Sequence, residues 1–339
     1  MAEETEDANG SSLDCTADPV GSLKAMFVDI TMGRRLARGQ SPARRPVFLK
    51  PHGAARAEFV VRPDLPPELR VGLFADDRSY PAWIRISSDT VPTLPDIKTT
   101  LGLGIKLFGV IGDKLVANPA DETFDLVLQN HDVFFVDTTS DMCAFTKATF
   151  DGREDEYLAA HPVTNAILKE MQKVVESALT TPYWSVLPYA FGPGRFVKYK
   201  LEPETAPDAI VAQVDPNYLS VDLKRRLLAG EARFRFLVQF QTSEAEMPLD
   251  RATVRWSEDA SKPVQVATLV IAKQDLNARG QAEYGDNLAI NPWRVSDVHA
   301  PQGSIANARR AVYVASADLR RSVNGVPDGE PLHPRELAA

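Results

Sequence analysis

Three residues in the last part of the chain combine a phenol with two guanidinium groups. Arg309, Tyr313 and Arg320 lie in a stretch typical of an amphipathic helix, and at about 100° per residue their side chains point within about 40° of one another. A nearby guanidinium favours the phenolate form of a tyrosine, and a phenolate is an anionic ligand that suits ferric iron. The alternative is a surface helix in which Tyr313 fills the core and both arginines face solvent.

A histidine and an asparagine in the first half of the chain are of types that carry acid–base chemistry. His52 follows Lys50 and Pro51 in the segment FLKPHGAARAEF, and Asn130 follows the apolar run DLVLQ. A neutral imidazole can move a proton between two oxygen atoms, and an amide can donate a hydrogen bond to charge that develops on a leaving oxygen. Taken alone, His52 also fits a turn and Asn130 the end of a strand.

Taken in order, these segments resemble the haem catalase superfamily, and more narrowly its short catalase-related peroxidase branch. The segment around His52 resembles the one that carries the distal histidine, and the segment around Asn130 resembles the one that carries the distal asparagine. The stretches 84–88 and 104–108 resemble strands that line the haem pocket. The resemblance extends from about residue 21 to residue 321, so most of the chain takes part in it.

The resemblance implies a role for each of these residues. Tyr313 becomes the axial ligand of the iron of haem b, with Arg309 as its charge partner. His52 and Asn130 become the catalytic residues on the opposite face of the haem, beside the iron and not bound to it. The other implied residues are Ser87, which orients His52 by a hydrogen bond, and two arginines that contact the haem propionates, Arg85 and Arg320.

Departures from the catalase pattern bear on the reaction. Leu49 stands where a third propionate arginine is expected, so Lys50 or Arg45 would have to replace that arginine. Pro51 precedes the histidine where catalases have a small branched residue, and Val314 follows the tyrosine where they usually have proline. These departures count against efficient dismutation of hydrogen peroxide and leave peroxide activation intact.

The resulting hypothesis is a haem-dependent peroxidase. It would activate hydrogen peroxide or organic hydroperoxides through an oxoferryl intermediate and oxidise a small organic donor. Two alternatives use related chemistry: a minimal catalase that dismutates hydrogen peroxide, and a catalase-related enzyme that converts fatty-acid hydroperoxides. A non-enzymatic alternative is a haem carrier that keeps the fold without the reaction.

Composition and charge narrow the class of protein. A chain of 339 residues with 44% hydrophobic content can bury a large core, and a net charge of −8 argues against nucleic acid as a partner. No stretch of eighteen apolar residues and no basic, apolar leader is present in the sequence, so the expected location is the cytoplasm. The two cysteines, Cys15 and Cys143, are expected to be free thiols.

Hydrophobic periodicity predicts an α+β protein, and the resemblance implies an antiparallel β-barrel core of the haem-dependent catalase type with surrounding helices. A disordered acidic tail is expected over 1–20, a single catalase-like haem domain over 21–325 and a C-terminal tail over 326–339. The proline-rich stretch 41–51 predicts an extended arm, which by the resemblance implies a homodimer or a higher homo-oligomer. Strands are predicted at 57–61, 82–86, 104–108, 124–128, 194–201, 233–241 and 264–271. Helices are predicted at 22–38, 141–149, 161–179 and 304–321.

The other four histidines are predicted to have no part in the site. His131 follows Asn130 directly, and strand alternation sends neighbouring side chains to opposite faces. The remaining three, His161, His299 and His333, stand beside prolines or in a proline-rich tail, where a solvent-exposed or capping role is expected.

Overall fold

The structure, a computed structural model, describes residues 13–116, 122–206, 215–326 and 334–335. Within them, nine strands form one antiparallel sheet, in the order β5-β4-β3-β2-β1-β9-β8-β7-β6. Because β5 also pairs with β7, eight of the strands close into a barrel and β6 lies outside the ring. The strands are β1 Lys50–Val61, β2 Ser79–Ser88, β3 Leu101–Phe108, β4 Thr123–Gln129, β5 Tyr183–Trp184, β6 Tyr189–Ala190, β7 Phe196–Pro203, β8 Ala232–Phe240 and β9 Val264–Ile271. The predicted α+β class with an antiparallel barrel is confirmed.

Strand β1 is longer than its hydrophobic pattern predicts. The predicted strand began at residue 57, whereas β1 begins at Lys50 and pairs with both β2 and β9. Pro51 and Gly53, residues that weaken a strand pattern, hid its first half. The pairing with β2 shifts register between Pro51 and Gly53, so His52 occupies a β-bulge. Bulges re-aim a side chain and are common beside active sites.

Aromatic side chains fill the interior of the barrel, as expected for a barrel of eight strands. Phe59 and Phe236 meet edge to face with ring centroids 5.0 Å apart, and Phe74 lies beside both. His299 belongs to this core: it is fully buried, its ring meets Phe74 edge to face, and Leu73 N–H donates to its Nε2. The prediction of a solvent or capping role for His299 is therefore wrong, because loop position alone does not report burial.

Helices pack outside the barrel. The predicted helix 22–38 is confirmed as α1 Pro19–Lys24, a π-helical stretch Ala25–Met32 and α2 Gly33–Ala37. The predicted helix 161–179 is too long, since the helix there, Pro162–Met171, ends eight residues earlier and Val175 belongs to the barrel core. No helix within the described ranges is long and apolar enough to cross a bilayer. The other helices are α3 Thr139–Phe150, α4 Glu154–Ala160, α5 Pro162–Met171, α6 Tyr218–Ala229, α7 Gln281–Asn287 and α8 Ser304–Asn324.

The two cysteines are joined. Cys15 and Cys143 form a disulfide with Cα atoms 5.4 Å apart, which links the segment before α1 to α3. The prediction of free thiols is wrong, because 128 residues of separation conceal a contact that only the fold creates. Residues 13–20 of the predicted tail form a turn and the start of α1. Residues 1–12 and His333 lie outside the described residues.

Candidate haem and peroxide site

His52 is placed in the interior by the bulge of β1. Its side chain is completely buried, and neither ring nitrogen has a hydrogen-bond partner among the described residues. Burial disfavours the charged imidazolium and lowers the pKa of His52 to about 4. The imidazole is therefore neutral at pH 7 and able to accept a proton.

Asn130 lies directly after β4, with its amide oriented by the backbone of β3. Leu101 N–H donates to Asn130 Oδ1 at 2.8 Å, and Asn130 N–H donates to Leu101 O at 3.0 Å. Lys173 Nζ also donates to the backbone oxygen of Asn130. With Oδ1 used as the acceptor, the donor Nδ2 must point the other way, and it is buried without a partner among the described residues. The side chain is thus pre-set to donate a hydrogen bond.

The register connects these two residues across neighbouring strands. Lys50 of β1 is opposite Ser88 of β2, and Ser88 is opposite Leu101 of β3, which holds Asn130. The bulge with His52 and the end of β4 with Asn130 therefore lie at the same end of four adjacent strands.

Ser87 and Arg85 are paired with each other. Arg85 Nη1 donates to Ser87 Oγ at 2.6 Å, and the predicted hydrogen bond from Ser87 to His52 is not formed. The reason is alternation along β2: residues two apart face the same side, so the guanidinium of Arg85 reaches the hydroxyl first. The Ser87 hydroxyl is therefore hydrogen-bonded to Arg85 and makes no hydrogen bond to His52.

Arginines from three parts of the chain converge on α7. Arg320 of α8 donates through Nη1 to Asp286 O at 2.8 Å, and Arg85 Nη2 lies 3.8 Å from Asp286 Oδ1. Arg45 donates to the backbone oxygens of Asp286 and Leu288. Burial, reinforced by the charges of Arg45 and Arg85, holds the pKa of Arg320 well below its ordinary value. Such a cluster favours an anionic ligand.

Of the two candidates to replace the missing third arginine, the structure favours Arg45. Lys50 Nζ is already bound to the Asp96 carboxylate at 2.6 Å. Arg45 and Arg85 line a cavity of about 340 Å³ together with Leu49. The other residues lining it are Pro42, Ala43, Arg44, Phe48, Pro51, Glu283, Asp286, Asn287 and Asn324.

The predicted phenol and guanidinium pair is present on α8. Arg309 Nη2 donates to Tyr313 Oη at 3.1 Å, and Tyr313 is partly buried. The phenols of Tyr313 and Tyr189 favour the charged form of Arg309, so the pKa of Arg309 is raised although burial opposes the charge. Arg320 of the arginine cluster lies on the same helix, seven residues after Tyr313.

Two of the remaining histidines are positioned as predicted. His131 faces away from the site, with Nε2 3.8 Å from Asp132 Oδ1 and 3.9 Å from Glu170 Oε2. His161 lies on the surface at the end of α4, stacked on Tyr157 with its Nδ1 2.7 Å from the backbone oxygen of that residue.

The residues fit a haem. Burial of polar atoms without partners costs free energy, and several buried atoms lack a partner within the described part of the chain. The anionic propionates would satisfy the guanidinium groups, and a ligand on the iron would face the imidazole and the amide. The unpartnered atoms concerned are Nδ1 and Nε2 of His52, Nδ2 of Asn130, Nε of Arg85 and Nε of Arg320.

Sequence reasoning missed two residues of this site. Asp96 lies beside His52 on the β2–β3 connection, and Asp286 joins the arginines on a helix that was not predicted. A lone aspartate carries no sequence signal at either position.

Comparison with known proteins finds a relative in sequence and neighbours in fold. No family model matches the chain. A catalase-related peroxidase of Mycolicibacterium paratuberculosis is 29% identical over 191 residues, which are 52% of this chain and 59% of that protein. The chain thus matches less than two thirds of the length of this relative.

Two solved structures share the fold. A fungal catalase superposes with a TM-score of 0.65 at 16% identity, over 86% of this chain and 62% of the catalase. A bacterial catalase superposes with a TM-score of 0.62 at 16% identity, over 100% of this chain and 71% of the catalase. The chain therefore has the fold of these catalases, a barrel closed by β5, and is similar in sequence to a catalase-related peroxidase.

Proposed function

We propose that the chain is a haem-dependent peroxidase that activates hydrogen peroxide or an organic hydroperoxide and oxidises a small organic donor. The observation that carries this proposal is the buried imidazole of His52 at the same barrel end as the amide nitrogen of Asn130, both without a hydrogen-bond partner in the part of the chain that the structure describes. A catalase-related peroxidase among its relatives supports it.

His52 and Asn130 divide the work on the peroxide. Haem b, when bound, supplies the ferric iron that coordinates the peroxide and accepts its oxidising equivalents. His52 would accept the proton of the bound peroxide at a ring nitrogen and return it to the oxygen that leaves as water or alcohol. Asn130 Nδ2 donates a hydrogen bond to that leaving oxygen as negative charge develops on it.

The other residues hold the cofactor. Tyr313 would ligate the haem iron through its phenolic oxygen, and Arg309 would favour the phenolate by the hydrogen bond and charge described above. Arg45, Arg85 and Arg320 would hold the propionates. This assignment uses Arg45 in place of the arginine missing at Leu49.

Two residues favour a peroxidase over a minimal catalase. Leu49 and Pro51 depart from the catalase pattern on either side of Lys50, and both line the 340 Å³ cavity beside Arg85. A wider approach to the site would admit an organic donor. The predicted homodimer or higher oligomer and the cytoplasmic location stay predictions.

Spectra and oxygen evolution of the purified, haem-loaded protein test the proposal. We expect the absorption bands of high-spin ferric haem with a tyrosinate ligand, and peroxide consumption that requires an added phenolic donor. Vigorous oxygen evolution without a donor would support the minimal catalase. Product formation from a fatty-acid hydroperoxide without donor or oxygen would support the hydroperoxide-converting enzyme. Bound haem with no response to peroxide would support a haem carrier.

A further inference from the structure

A buried ion pair lies beside the candidate catalytic histidine. Lys50 Nζ is 2.6 Å from Asp96 Oδ1, and that same oxygen is 4.0 Å from His52 Nδ1. The exposed fractions of the three side chains are 5% for Lys50 and 0% for Asp96 and His52. The ammonium group of Lys50, the carboxylate of Asp96 and the imidazole of His52 are therefore close together in the buried interior.

Hydrogen bonds hold both members of the pair in place. Lys50 Nζ also donates to Leu94 O at 2.6 Å and to Pro216 O at 3.0 Å. Asp96 Oδ2 accepts from Leu219 N–H at 2.9 Å. The pair thus joins β1, the β2–β3 connection and the start of α6, and neither charge can turn away from His52 without breaking these bonds.

We propose that Lys50 is a positioning residue that holds the Asp96 carboxylate as its own ion-pair partner, so that His52 stays neutral and ready to accept a proton at a lower pH than it would without the lysine. This inference rests on the proposed function for its consequence in catalysis. The contacts among Lys50, Asp96 and His52 do not depend on that function, and the lysine lies two residues before the histidine in the sequence.

The charges around His52 show why the lysine matters. A carboxylate 4.0 Å from an imidazole favours the imidazolium, and this attraction is strong where water is excluded. The positive charges of Lys50 and Arg85 oppose it. From α6 the contact is neutral, since Ser220 Oγ donates to the backbone oxygen of His52 at 2.9 Å. Without Lys50, the attraction of Asp96 would protonate the ring at a higher pH than in the wild type, and a protonated ring cannot begin the reaction.

Titration of His52 in the full-length chain, prepared without haem and with isotope-labelled histidine, tests the inference by NMR. The resonance is assigned by its loss in His52→Gln. In Lys50→Met we expect the pKa of His52 to rise by about one to two units. Lys50→Arg keeps the charge and should titrate as the wild type. Asp96→Asn removes the attracting charge and should not raise the pKa.

A second buried pair provides the matched control. Lys106 Nζ lies 2.7 Å from Asp125 Oδ1, and both side chains are fully buried in β3 and β4. Lys106→Met removes a buried lysine of the same kind from a pair that does not contact His52. A shift of the His52 pKa in Lys106→Met equal to that in Lys50→Met would overturn the inference. A pKa of His52 in Lys50→Met equal to that in the wild type would also overturn it.

If Lys50→Met does not fold, two other variants decide. Lys50→Gln keeps a donor for Leu94 O without the charge, and the double variant K50M/D96N removes both charges. We expect the pKa of His52 to be raised in Lys50→Gln and not raised in K50M/D96N, and the opposite pattern contradicts the proposal.

In the haem-loaded enzyme, the acid limb of the pH profile of the peroxide reaction should move to higher pH in Lys50→Gln or Lys50→Met. A chain that binds no haem refutes the proposed function, while the NMR titration still decides the role of Lys50.

Discussion

Arg309 and Tyr313 are joined one turn apart on α8, with Nη2 of the arginine 3.1 Å from the phenolic oxygen. The guanidinium carbon also lies 5.3 Å from the centre of the tyrosine ring. Residues four apart are neighbours on a helix surface, so the helix itself sets this contact. The phenolate that the proposed function requires therefore has a fixed cationic partner.

Replacing Tyr313 by phenylalanine removes the proposed iron ligand and the hydrogen bond from Arg309, but keeps the aromatic ring. We expect Tyr313→Phe to fold, because the ring is kept, and to lose the tyrosinate-type absorption bands and most of its bound haem. Absorption spectra after haem loading make the measurement. Tyr157→Phe, on α4, is the control and should keep the wild-type spectrum. An unchanged spectrum in Tyr313→Phe would show that another residue binds the iron.

Arg45 is predicted to bind a propionate, and Lys50 is not. Arg45→Gln should weaken haem binding by about tenfold, since a charge-assisted hydrogen bond to a charged group contributes about 1.5 kcal/mol or more. Haem transfer to a competing apoprotein measures this affinity. Arg56, exposed on β1, supplies the control variant Arg56→Gln, which should bind haem normally. Equal affinities in the two variants would contradict the assignment.

The variant Asn130→Asp keeps the hydrogen bond that positions the side chain and removes the proposed donor to the leaving oxygen. A carboxylate oxygen can still accept the hydrogen bond from Leu101 N–H, but the donor Nδ2 is lost. We expect the rate of the peroxide reaction to fall on the order of 10²-fold, the typical effect of removing one such donor. Stopped-flow spectra of the haem-loaded protein give this rate. A rate within a factor of two of the wild type means that Asn130 does not stabilise the leaving oxygen.

Buried histidines should make the fold sensitive to acid. The pKa values of His52 and His299 are lowered to about 4, mainly by burial. Between about pH 4 and 6.5 the unfolded chain binds more protons at these positions, so the free energy of unfolding falls as pH falls through this window. Each histidine contributes up to about 3 kcal/mol to the loss.

Urea unfolding at pH 7 and pH 4.5 measures this loss. His299→Gln should reduce the difference between the two free energies of unfolding, whatever its own stability. The exposed His161 provides the control, and His161→Gln should leave the difference as in the wild type. The prediction fails if both variants show the wild-type difference.

The disulfide should stabilise the fold. Cys15 and Cys143 close a loop of 128 residues, and removing such a constraint typically costs about 2–5 kcal/mol. Reductant should therefore lower the midpoint of thermal unfolding of the wild type and leave the double variant Cys15→Ser, Cys143→Ser unaffected. Two alkylatable thiols in the oxidised, unfolded wild type would show that the bond is absent.

Local patterns predicted helix α8 and most of the strands, but not the half of β1 that carries His52. Alternating and continuous apolar runs predicted seven of the nine described strands at least in part, β9 with the same bounds as in the structure, because strand periodicity and burial depend on neighbours in sequence. The spacing of Arg309 and Tyr313 determined their contact for the same reason, since four residues make about one helical turn.

Contacts between distant segments were decided by the tertiary structure alone. The positions of Asp96 and Asp286 determine which cation joins Arg85 and Arg320. Asp96 pairs with Lys50, whereas Asp286 accepts a hydrogen bond from Arg45, so that Arg45 joins the cluster. The burial of His299 and the pairing of the two cysteines are likewise properties of packing. A sequence pattern shows which face of an element is apolar, but the partner of a charged or sulfur-bearing side chain is set by whatever the closed barrel brings within bonding distance.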